Sequence, residues 1–181
     1  DFAKASELFG KAAEVAATAP LNEVDTTALY NAGFTAWMVK DYPRAEQFFN
    51  KCVEAGYYYE GGEVFAKLAD IYNNTDRKDA ARDVLEKGFV AYPQSQSILI
   101  GLINYYLESK QSPERLFELI AEAKKNEPNN ASLYYVEGNI YNELGQKDKA
   151  VEAYYKWAEI NTGYEFGYIG AGILYYNQAL E

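Results

Sequence analysis

The sequence predicts an all-α protein built from stacked antiparallel helix pairs, and three series of residues predict it. A small residue in the middle of each pair's first helix appears as Gly33, Ala69, Asn104, Gly138 and Gly172, at spacings of 36, 35, 34 and 34. A small residue opening each second helix appears as Ala5, Ala45, Ala81, Leu116 and Ala150, at 40, 36, 35 and 34. A bulky residue one turn further on appears as Phe9, Phe49, Leu85, Ile120 and Tyr154, in step with the second series. One face of each helix is small where the other is bulky, so the two can lie close. Such a pair cannot bury its apolar surface alone and needs neighbours of the same kind.

Residues 1–18 (DFAKASELFGKAAEVAAT) read as a second helix with no first helix before it, its contact face formed by Ala5, Phe9 and Ala12. Pro20 and the polar LNEVD stretch make a loop longer than the repeat period needs, the kind of insertion surfaces tolerate. Residues 26–59 form the first full pair. Asp41 is placed to cap its second helix, and Pro43 falls in the first turn, where a missing N–H costs nothing. This pair ends in AGYYYEGG, a helix stop at Gly56 followed by three tyrosines and a Gly-Gly turn, expected to form a packed corner between repeats.

Residues 62–95 form the second pair, turning at NNTDRKD and closing at Tyr92-Pro93, and residues 97–130 form the third. The third departs most from the pattern, because Asn104 and Leu116 stand at sites that are small elsewhere. Overpacking a close crossing costs ~1–3 kcal/mol, so a wider spacing or altered angle is expected there. In the fourth pair, residues 131–164, Tyr134, Gly138 and Tyr141 share one helical face, Gly145 ends the helix, and Ala150, Tyr154 and Trp157 repeat the spacing. Glu137 falls among the contact residues and is expected to be partly buried, paired with Lys147, Lys149 or a tyrosine hydroxyl. The junction of the third and fourth pairs is therefore the irregular place in the array. Residues 165–181 read as the first helix of a further pair and are apolar nearly all round. Beginning and ending in mid-repeat, without an initiating methionine, the sequence reads as a piece of a longer array.

A period near 34 with two helices per unit resembles the tetratricopeptide repeat family. Leu29, Phe65, Ile100, Tyr134 and Tyr168 match early in the first helices, and Tyr72, Leu107, Tyr141 and Tyr175 match the large site near their ends. Ala12, Cys52, Gly88 and Ala123 match the small site late in the second helices, while Pro93 and Pro128 close two repeats. The resemblance covers nearly the whole chain. It implies a right-handed superhelical solenoid of about ten helices, whose first helices line a concave groove that binds peptides.

Mapped onto this sequence, the groove positions hold Tyr30, Asn31, Phe34 and Trp37 in the first repeat and Lys67, Asp70 and Asn74 in the second. They hold Tyr105 in the third and Tyr135, Asn139 and Asn142 in the fourth. Asn side chains donate and accept, which suits the backbone of an extended peptide, and aromatic residues supply rigid contact area with a polar handle. The resemblance thus implies a non-catalytic protein- or peptide-binding scaffold. The positions of a carboxylate clamp hold Tyr30, Phe34, Lys67, Ile98 and Leu102 in one frame and Ala66, Asp70, Leu102, Ser132 and Val136 in the next. One basic residue in two frames makes no clamp.

Composition narrows the alternatives. Seventeen basic against 27 acidic residues give a net charge of −10, the wrong sign for nucleic acid or an anionic membrane surface. The chain has no histidine, which removes the usual general base, the common nucleophile pairs and imidazole metal sites. With no Gly-rich phosphate loop or metal-ligand spacing, neither a cofactor, a metal nor an enzyme is expected. The single cysteine, Cys52, sits at a helix-contact site and reads as a packing residue. No apolar run approaches the ~20 residues of a membrane span. Two further readings stand beside peptide binding. One is self-association through the uncovered helix 165–181. The other is a small-ligand or glycan site in an aromatic and Asn-lined groove of an envelope protein, with paired tyrosines as stacking platforms. The compartment, cytoplasmic or periplasmic after loss of a leader, is left open by the sequence.

Overall fold

A computed structural model of the chain describes residues 1–18, 20–162 and 166–180. The described residues form ten α-helices and one 3-10 turn, with no strand among them. A lone helix α1 (Phe2–Ala16) comes first. The hairpins α2 (Thr26–Met38) with α3 (Tyr42–Glu54), and α4 (Glu63–Asn74) with α5 (Lys78–Ala91), follow it. Then come α6 (Gln96–Ser109), α7 (Pro113–Asn126), the hairpin α8 (Ala131–Glu143) with α9 (Lys147–Ile160), and α10 (Phe166–Leu180). The boundary expected at 164–165 lies outside the described residues.

The helix ends follow from local chemistry. Asp25 accepts from the Ala28 N–H at 2.8 Å and Asp41 from the Arg44 N–H at 3.3 Å, each satisfying an orphan donor of the first turn. Asn130 does the same for α8 through the Ser132 N–H. Gly145 ends α8 at φ +70°, a conformation that an L side chain would strain.

Two compact units make up the chain, Asp1–Tyr105 and Tyr106–Glu181. The division falls inside α6, in the repeat where Asn104 and Leu116 replace small residues. Asn104 does not sit in a helix crossing: its side chain is exposed, because α6 buries the stripe Ile98, Leu99, Leu102 and Ile103 instead. Keeping the amide in water avoids an uncompensated desolvation cost. Leu116 is buried and borders a cleft of about 470 Å³ in the second unit.

In the first unit the expected small-against-bulky contact is present. A Cβ added to Gly33 would lie 3.0 Å from the ring of Phe49, which is fully buried with Ala45, Cys52 and Ile71. Burial pushes the Cys52 thiol up to about 12, so it stays protonated and acts as a small apolar residue. The core runs on from α3 into Val64, Leu68 and Ile71 of α4, so neighbouring repeats complete each other's burial. Helix α1 is fastened by Ser6, whose buried hydroxyl donates to the Ala32 carbonyl at 2.8 Å and accepts from Arg44 Nε at 2.9 Å. After α3, Tyr57 and Tyr59 pack on Tyr30 while Tyr58 stacks on Phe65 at 4.9 Å, forming the corner expected from AGYYYEGG.

The second unit repeats the contact at Gly138, where a Cβ would lie 2.6 Å from the ring of Tyr154. Tyr154, Ala150 and Val151 then pack with Ala171 and Leu174 of α10. Glu137 is partly buried as expected, but its partner is different. Lys124 of α7 donates to both carboxylate oxygens at 2.8 and 2.9 Å and lies over the Tyr134 ring at 4.6 Å. The rotation of α8 turns Glu137 toward α7, whereas Lys149 donates to Gln146. The irregular junction of the third and fourth repeats is thus closed by an ion pair. Glu137→Ala is expected to cost about 1–3 kcal/mol in urea unfolding, since it leaves behind a half-buried, unpaired ammonium. Adding Lys124→Met should restore most of that loss, and no recovery would mean that the pair is a surface contact of little weight.

Candidate functional site

In the first unit, the first helices present a polar depression of about 400 Å³, lined by Trp37, Glu60, Glu63, Ala66, Lys67, Asp70 and Ser97. Its parts come from α2, the turn before α4, α4 and α6. Spacing on α4 explains the set: Glu63, Lys67, Asp70 and Asn74 stand three or four residues apart and share one face.

The floor is a locked group of side chains. Trp37 Nε1 donates to Asp70 Oδ2 at 2.6 Å, a short bond to a charged acceptor. Lys67 Nζ lies 3.8 Å from the centroid of the indole, within cation–π range, and 3.4 Å from Glu63 Oε1. Phe34 packs against Trp37 at 5.8 Å. Asn74 Nδ2 donates to the carbonyl of Asp70 at 2.8 Å and to its Oδ1 at 3.2 Å. Three carboxylates, Glu60, Glu63 and Asp70, surround one ammonium, so the depression carries a negative balance.

The structure therefore brings Phe34, Trp37, Lys67, Asp70 and Asn74 together. Asn31 is half-buried on α2, and its carbonyl accepts from the Thr35 hydroxyl at 2.6 Å. Tyr30, placed on the groove by the sequence, belongs to the core: it is buried and stacks on Tyr59 at 4.1 Å between centroids. Burial, with the Glu63 carboxylate beside it, pushes its phenol well above the usual tyrosine range. Tyr105 also stands apart, donating to Asp79 Oδ1 at 2.8 Å and so turned toward α5; that bond holds its phenol above the usual range.

The remaining candidates lie in the second unit. Tyr135 is exposed and packs on Trp157 at 4.6 Å, Asn139 Oδ1 accepts from the Tyr154 hydroxyl at 2.6 Å, and Asn142 is exposed. Sequence reasoning assigns no groove role to Glu60, Glu63 and Ser97, and reads Ala66 only as a clamp position that lacks the needed basic residue. The i, i+4 step from Glu63 to Lys67 is the signal that could have found the glutamate on α4. Among the described residues no group of three His, Cys, Asp or Glu side chains is placed to hold a metal ion, and no helix is long and apolar enough to cross a membrane.

Helix hairpins with a small-for-bulky crossing, presenting the side chains of their first helices, define a helical repeat protein. The chain belongs to the tetratricopeptide repeat family, whose sequence profile matches residues 5–165. It is 24% identical over 172 residues to the TPR repeat-containing protein MJ1428 of Methanocaldococcus jannaschii, covering 87% of this chain and 30% of that relative. This chain thus spans about a third of the relative's length. Among solved structures, MamA protein superposes with a TM-score of 0.69 at 24% identity, over 86% of this chain and 83% of the other. YrrB, described as a TPR protein with an unusual peptide-binding site, superposes with a TM-score of 0.67 at 20% identity, over 92% and 81%. These likenesses establish the all-α tetratricopeptide fold.

Proposed function

We propose that this chain is a non-catalytic scaffold that binds an extended peptide across the first helices of its first unit, with the Trp37–Lys67–Asp70 depression as the anchor site. The negative balance of that depression carries the reading. Glu60, Glu63 and Asp70 against Lys67 favour a peptide that brings a Lys or Arg side chain to the rim. Trp37 offers an immobilised indole, its N–H already fixed by Asp70, so little ordering remains to be done when a ligand arrives. Asn74 is exposed and keeps acceptor capacity for a peptide N–H. YrrB's described peptide site supports the general mode, while the choice of anchor residues rests on the geometry of this chain alone.

The test is selection from a random peptide display library, followed by anisotropy titration of the recovered peptides. Enrichment in Lys or Arg beside an apolar residue is expected. Trp37→Ala and Asp70→Asn should each weaken binding by ~10–100-fold, the effect of losing a hot-spot residue, with helical circular dichroism retained. Peptides that bind Trp37→Ala as well as the parent chain would sink the assignment.

A further inference from the structure

Two kinds of contact hold the side chains of the polar depression. Trp37 Nε1 bonds to Asp70 Oδ2 at 2.6 Å, and Asn74 Nδ2 donates to Asp70 Oδ1 at 3.2 Å. The indole and that carboxylate are thus fixed without help from Lys67. Lys67 is attached more loosely. Its ammonium lies 3.8 Å from the indole centroid and 5.6 Å from that of Phe34. It meets Glu63 Oε1 at 3.4 Å, beyond the ~2.7–2.9 Å of a strong charge-assisted bond. A ring face and an i, i+4 carboxylate are each weak attachments at a site open to water.

A ring face with carboxylates beside it is also the arrangement that takes up a foreign cation. Here the chain supplies the cation itself. We propose that Lys67 occupies the seat of the ligand's own cation, and that an arginine side chain of the bound peptide displaces it from the Trp37 ring. The inference rests on the depression being the peptide anchor, and it names the side chain that enters.

Shape specifies arginine. A guanidinium is planar, so it can lie flat on the indole while its edge presents paired N–H donors to the Glu63 carboxylate. It is also more weakly hydrated than an ammonium and gives up less water on entering. A peptide lysine would only exchange one ammonium for another and gain neither contact. Charge is conserved in the exchange. Once Lys67 leaves, Glu60, Glu63 and Asp70 face one another without a counter-charge, and the entering cation compensates them again.

Two substitutions separate displacement from a simple change of field. Lys67→Ala removes the charge and uncovers the ring, whereas Lys67→Gln removes the same charge but leaves a long side chain beside it. The probe is N-acetyl-arginine methylamide, followed through the Trp37 indole N–H resonance in a Trp157→Phe background, where Trp37 is the remaining tryptophan. Lys67→Ala should bind the probe ~3–10-fold more tightly than the parent, Lys67→Gln should gain less, and the neutral citrulline analogue should gain nothing. Helical circular dichroism should be unchanged in both variants. Equal gains in Lys67→Ala and Lys67→Gln would overturn displacement, as would no gain, or a loss, in Lys67→Ala. Failure of the peptide reading looks different. Probe binding without any peptide recovered from the library would overturn the scaffold and leave a cation seat. Recovered peptides that bind Lys67→Ala no better than the parent would keep the scaffold and overturn the displacement.

Discussion

Replacing Phe49 by Ala is expected to lower the stability of the first unit by about 3–5 kcal/mol, the range found for deleting a buried aromatic ring. The ring is fully buried, lies against the backbone at Gly33, and packs on Tyr30 at 5.9 Å. Nothing small can slide in to fill the void, because α2 and α3 already approach at glycine distance. A loss of this size is a large share of the ~5–15 kcal/mol that holds a domain folded. It should be felt beyond the hairpin, since the core joins α3 to α4. Urea unfolding followed by circular dichroism gives the value. Phe9→Ala is the control, being the same residue type in the same series but partly exposed. Its cost should stay near ~1 kcal/mol, because less area leaves water. Equal losses at the two positions would contradict the register that pairs Phe49, and not Phe9, with a glycine across a hairpin.

Cooperative unfolding in alkali is the second large effect. Tyr30, Tyr72 and Tyr154 all have phenols raised above the usual range, in each case chiefly by burial. A raised phenol favours the neutral form in the folded chain, while the unfolded chain ionises near the ordinary value of about 10. The stability they contribute is complete below that pH and is lost as pH climbs toward the folded values. An unfolding midpoint of about pH 10–12 is therefore expected. Tyrosine absorbance at about 295 nm should show a fraction of the 18 tyrosines ionising only as helical circular dichroism disappears. Tyr30→Phe removes one such group, so its transition should move to higher pH, and an unmoved transition would assign the effect elsewhere. Glu46 behaves in the opposite sense. Arg77 donates to both of its oxygens at 2.9 and 2.6 Å and holds its carboxyl below the usual range, a contribution that fades in acid. With no histidine in the chain, stability should be flat between about pH 6 and 8, above which Cys52, held protonated by burial when folded, begins to ionise in the unfolded chain and adds to the loss.

What is legible in the sequence is what repeats. Gly33 with Phe49 and Gly138 with Tyr154 are readable because period alone fixes which positions face each other across a hairpin. Asn104 is misplaced for the same reason: the count carries the series onto α6, whose buried stripe of Ile98, Leu99, Leu102 and Ile103 leaves Asn104 exposed. Tyr30 reads as a groove residue because nothing periodic announces that Tyr57 and Tyr59, from an irregular turn, will cover it. Spacing places Trp37, Lys67 and Asp70 near one another. Their mutual lock depends on side-chain reach between α2 and α4, which no linear pattern records. For Glu137 the sequence offers cations ahead of it, but the one it meets lies thirteen residues behind on the neighbouring repeat.

The aromatic inventory has one more consequence. The chain has two tryptophans, and they fall in different units, Trp37 in Asp1–Tyr105 and Trp157 in Tyr106–Glu181. The indoles sit in unlike surroundings, one beneath an ammonium and bonded to a carboxylate, the other against the ring of Tyr135. Each half of the molecule thus carries its own optical reporter. Exchanging either indole for Phe leaves emission from a single unit, so the order in which the two halves melt can be read directly from intrinsic fluorescence.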